Sequence, residues 1–75
     1  MKALRKLHEA VADEFDKAAE QHRAAAEQID KGNHDAAARH ALAAQGHALL
    51  AYEHAGQASK KYAALIEEDD EEEVE

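Results

Sequence analysis

The side chains with the most chemical reach in this 75-residue chain are its six histidines, at positions 8, 22, 34, 40, 47 and 54. A neutral imidazole offers one hydrogen-bond donor and one acceptor, ligates zinc, nickel or copper, and takes up a proton near pH ~6.5. His40, His47 and His54 repeat every seven residues, and His8 and His22 lie two sevens apart. Seven residues make about two helical turns, so each set shares one face of a helix. Other chemistry is sparse: cysteine and threonine are absent, Ser59 is the only serine, and no glycine-rich phosphate loop occurs. With no activated nucleophile and no phosphate cradle, the chain is expected not to be an enzyme.

The elements that carry the histidines are helices. There is no proline, and residues 2–31 are mostly strong helix formers. Lys31-Gly32-Asn33 breaks the run, with glycine suited to the left-handed residue after a helix and asparagine suited to start the next one. A second helix is expected from about residue 34 to 66. The fold class is therefore all-α: an antiparallel two-helix hairpin over residues 1–66, expected to dimerise into a four-helix bundle. Residues 67–75 hold eight carboxylates and read as a disordered acidic tail.

Heptad spacing gives each helix a seam. In the first, Leu4, His8, Val11, Phe15, Ala18, His22, Ala25 and Ile29 alternate steps of four and three; in the second, Ala37, Ala41, Ala44, Ala48, Ala51, Ala55, Ala58, Tyr62 and Leu65 do so. An alanine seam lets helix backbones approach closely. If the chain folds back near position 32 or 33, residue n lies level with about residue 65 − n. His8, His22, His40, His47 and His54 then form one interior ladder, with His34 apart. Leu42, Leu49 and Leu50 lie off the alanine seam and give the second helix another apolar stripe for a partner.

Three readings of the ladder stand side by side: structural histidines that fill an alanine groove and bond across it, a Zn, Ni or Cu site, and a proton sensor. Spacing weighs against the metal. Histidines seven apart on one helix are separated by about 10.5 Å, and no pair stands at i and i+4. The Glu-x-x-His pairs of di-iron bundles are missing as well.

Composition bounds the rest. Of the 45% hydrophobic residues most are alanine, 20 in all, so the core is thin and a homo-oligomer, most simply a dimer, is expected. The net charge of −8 resides in residues 67–75, because residues 1–66 carry nine acids and nine bases. No basic patch for nucleic acid and no membrane span is expected, and a cytoplasmic location is the default.

The stretch Gly32-Asn33-His34, Ala37, His40-Ala41, Ala44, Gly46-His47, His54 and Ala58, with Ala18-Ala19 and Ala25-Ala26 before it, resembles a group of small bacterial proteins rich in histidine and alanine. In that group repeated His-His pairs alternate with Ala-Ala, then come a glycine turn and a second helix. The resemblance implies a two-helix fold and no catalytic residues. This chain has Glu14-Phe15, Gln21-His22 and Gln28-Ile29 where the group has paired histidines.

Overall fold

The computed structural model describes the backbone from Met1 to Val74 and the side chains as far as Glu67; the side-chain environment of the acidic segment expected to be disordered lies outside the described residues. Two α-helices make up the chain, α1 over Lys2–Asp30 and α2 over His34–Val74, with no strand among the described residues. The first follows the expected bounds. The second is helical through Val74, past the expected end near Ile66. Among the described residues, no helix is long and apolar enough to cross a membrane.

The turn forms as its residues require. Gly32 takes φ +79°, a conformation in which a β-carbon would be strained. The Gly32 N–H donates to the Ile29 carbonyl at 3.0 Å and the Asn33 N–H to the Gln28 carbonyl at 2.8 Å. These two bonds satisfy carbonyls that the end of α1 would otherwise leave open, the pattern of a Schellman turn. The Asn33 carbonyl then accepts from Ala37 N–H at 3.0 Å, the first bond of α2. Chain reversal thus takes only three residues.

What the helices bury between them is small. Among the described residues, Leu4 and Ala18 on α1, with Ala37, Ala44, Ala51 and Ala58 on α2, are the buried hydrophobic side chains, and Ala44 and Ala51 are wholly inaccessible. The α2 alanines repeat every seven residues, as the seam requires. Leu7, Val11, Glu14, Gln21, Ala25 and Gln28 on α1 are half-buried.

This corrects one flank of the α1 seam. Leu4, Val11, Ala18 and Ala25 face α2 as expected, but Leu7, Glu14, Gln21 and Gln28 turn inward beside them, while His8, Phe15, His22 and Ile29 are exposed. Both flanks fit a heptad, one at three residues from the shared row and the other at four. The inner flank is decided by what α2 offers: the histidines beside its alanine row need polar partners, and Glu14 and Gln21 supply them.

Gly46 and Gly56 lie inside α2, and a β-carbon at either would meet nothing within 4 Å. Glycine in a helix interior costs roughly 0.5–1 kcal/mol relative to alanine. Gly46→Ala and Gly56→Ala should therefore each raise the unfolding midpoint by a few degrees in thermal circular dichroism.

Candidate functional site: a polar ladder between the helices

Along one flank of the seam, two side-chain hydrogen bonds cross from helix to helix and a third joins the turn to α1. His47 Nδ1–H donates to a Glu14 carboxylate oxygen at 2.7 Å, His40 Nδ1–H to Gln21 Oε1 at 2.7 Å, and Asn33 Nδ2 to Gln28 Oε1 at 3.0 Å. Each step of seven up α1, from 14 to 21 to 28, is matched by a step of seven back along the chain, from 47 to 40 on α2 and then to 33 in the turn. A carboxylate only accepts, so His47 must carry its proton on Nδ1. The rungs sit about one helical turn from the level expected of residue n against 65 − n.

One further step of seven leads to Leu7 and His54. Here the ladder lacks an acceptor. The His54 Nδ1 is buried without a hydrogen-bond partner, the one such side-chain atom among the described residues. A buried polar atom left unpaired costs ~1–3 kcal/mol, so this rung opposes the fold that the other three support.

Glu14 is the most constrained acid. It accepts from His47, and Lys17 one turn on donates to its other oxygen at 3.4 Å. Bonding to His47 first, and the Lys17 charge after it, hold its carboxyl below the usual carboxylate value, against a smaller upward push from burial.

The remaining histidines are not in the ladder. His8 is exposed, and its Nε2 shares a hydrogen bond of 2.8 Å with the Tyr62 hydroxyl. His22 is exposed on α1 and His34 is exposed at the turn. The interior column of five thus reduces to His40, His47 and His54, all on α2 and all half-buried. Among the described residues, no three histidine or acidic side chains come together around a point that would hold a metal ion.

A concavity of about 600 Å³ lies at the turn, lined by Gly32, Asn33, His34, Asp35, Ala36 and Arg39. It is away from the ladder histidines, and no nucleophile lines it.

Sequence reasoning found the α2 histidines from their period. It missed Glu14 and Gln21, although they stand seven apart immediately before Phe15 and His22. Polar residues repeating in step with histidines on the other helix were the available signal. No protein family, curated protein or solved structure matches the chain.

Two outcomes follow. Leu7→Gln sets an amide opposite His54, and a double-mutant cycle with His54→Ala should show a favourable coupling of about 1 kcal/mol in chemical denaturation. Glu14→Gln tests the acid limb. A lowered carboxyl stabilises the fold above its unfolded value and ceases to as pH falls through the lowered one, so the unaltered protein should lose stability more steeply than Glu14→Gln between about pH 5 and pH 3.

Proposed function

We propose that the chain is a non-enzymatic helix-bundle module whose biological unit is a homo-oligomer, most simply two antiparallel hairpins packed as a four-helix bundle. The observation that carries this reading is the mismatch between core and surface. Among the described residues six hydrophobic side chains are buried, five of them alanine, while Phe15, Ile29, Leu42, Leu49, Tyr52 and Ile66 stay 40–70% exposed. Burying one large apolar side chain is worth ~1.5–3 kcal/mol, and alanine contributes much less. A chain of this size with so thin a core needs a further source of stability, and it has no cysteine. A second copy supplies it by covering the exposed side chains.

The ladder histidines then have a structural role: they fill the flank of a close alanine seam and fix which faces meet. Glutamate and glutamine opposite them supply acceptors, as this role requires.

One observation favours the alternative of transition-metal binding, the unpartnered Nδ1 of His54. Imidazole nitrogen suits zinc, nickel or copper, and a twofold assembly would have to supply further ligands.

Sedimentation at micromolar concentration tests the main reading: the expected result is a species of about twice 8.2 kDa, and a stable monomer would overturn it. Thermal unfolding with and without zinc, nickel or copper tests the alternative. A metal present at 100 times its dissociation constant adds about 2.7 kcal/mol, a shift of many degrees in so small a domain. The structural role predicts an unchanged midpoint; a rise that His54→Ala abolishes would establish the metal.

A further inference from the structure

The two edges of the helix pair differ in kind. One holds the polar ladder, with Lys17 beside it. On the other, starting at His8 and stepping alternately by four and three, α1 reads His, Ala, Phe, Ala, His, Ala, Ile; starting at Ala38 and stepping by three and four, α2 reads Ala, Ala, Gln, Ala, Tyr, Ala, Ser, Tyr, Ile. Residues so spaced are neighbours along one face of a helix. Residues 1–66 carry eighteen charged side chains, and none falls at these sixteen positions. The two runs lie on the same edge, because they meet. Phe15 packs edge-on against Tyr52 with ring centroids 5.6 Å apart, and His8 bonds Tyr62.

This edge is nonetheless open. Phe15 is 40% exposed, Tyr52 66%, Tyr62 43%, Ile29 54% and Ile66 60%. Aromatic enrichment with charge depletion marks the centre of a protein–protein interface. The leucines off the seam divide between the edges. Leu49 is a one-turn neighbour of Gln45 and Tyr52 and adjoins the uncharged edge, whereas Leu50 lies between His47 and His54 on the ladder side.

We infer that the uncharged edge centred on Phe15 and Tyr52 is the surface through which a second copy of this chain docks. The inference rests on the homo-oligomer proposed above and names its interface. Size agrees: α1 is about 44 Å long at 1.5 Å per residue, and the helix pair is 17 Å broad. Such a face offers on the order of 700 Å², close to the roughly 800 Å² per partner of a stable interface. Shape agrees too. Alanines at every second position of the α1 run leave hollows between Phe15, His22 and Ile29, and a copy related by a twofold axis sets its bulges into them. A second copy is the occupant because the need for cover comes from the thin core itself, so each chain requires it whenever it folds. The face also carries no charge that would select a charged partner.

Ala12→Glu and Ala26→Glu test the inference in the full chain. Both alanines are exposed in the helix pair and glutamate is a good helix former, so the pair itself tolerates them. Leu50→Glu on the ladder edge is the control. Sedimentation equilibrium should show either alanine substitution raising the self-dissociation constant by more than about tenfold, since each introduces an unpaired charge at the interface, with Leu50→Glu changing it less than about twofold. Circular dichroism at high protein concentration should show their helicity retained. If Leu50→Glu dissociates the assembly and the alanine substitutions do not, the interface is on the ladder edge and this inference falls while the homo-oligomer stands. Equal weakening by all three also overturns it. A monomeric unaltered chain overturns both.

Discussion

The alanine seam is the constraint from which the other features follow. Ala44 and Ala51 are wholly inaccessible and Ala37 and Ala58 nearly so, which requires two helix backbones in close approach. At that separation little room is left for large side chains, and Leu4 is the one buried among the described residues. Leucines and aromatics are displaced to the flanks and outer faces, where Leu42, Tyr52 and Ile66 are at least 60% exposed. The same closeness that makes the seam tight makes the core thin, and the proposal of a second copy rests on that geometry.

A seam of identical methyl groups does little to distinguish one alignment from another. The polar ladder supplies part of what is missing. It selects the flank that turns inward, because Glu14 and Gln21 reach His47 and His40 only from that side. It does not select among alignments seven residues apart. Sliding one helix by two turns would bring Glu14 to His54 and Gln21 to His47, and would even provide His54 with an acceptor. The turn removes that choice. Gly32 at positive φ and the two bonds that close α1 leave no slack for a longer loop. The observed alignment, with His54 opposite Leu7 and its Nδ1 unpaired, is therefore the one the turn dictates.

Much of this was legible in the residues. The absence of proline, the single break at Lys31-Gly32-Asn33 and the period-seven alanines of α2 specified two helices, their turn and one row of the α2 seam, Ala37, Ala44, Ala51 and Ala58; the second row was misplaced in part, since Ala41 and Tyr62 are exposed. The inner flank of α1 was not legible from hydrophobicity. Phe15 and Ile29 are more apolar than Glu14 and Gln28, so a reading by burial alone selects the wrong flank. Cross-helix hydrogen bonding decided it instead, and that becomes visible only once the alignment is known. The interior column of five histidines failed for the same reason: rotating α1 by one position takes His8 and His22 to the surface. The end of α2 differed as well, since helical backbone continues through residues 67–74, whose seven like charges argued for a stop near Ile66.

The central claim is that this chain folds only as it associates, because its own seam buries too little. Thermal unfolding followed by circular dichroism across about a hundredfold range of protein concentration tests that most directly. Mass action stabilises a folded dimer relative to unfolded monomers as concentration rises, by an amount that moves the midpoint by several degrees over such a range. The account predicts that rise. A midpoint independent of concentration would show that one alanine-seamed pair of helices is stable alone, and would contradict it.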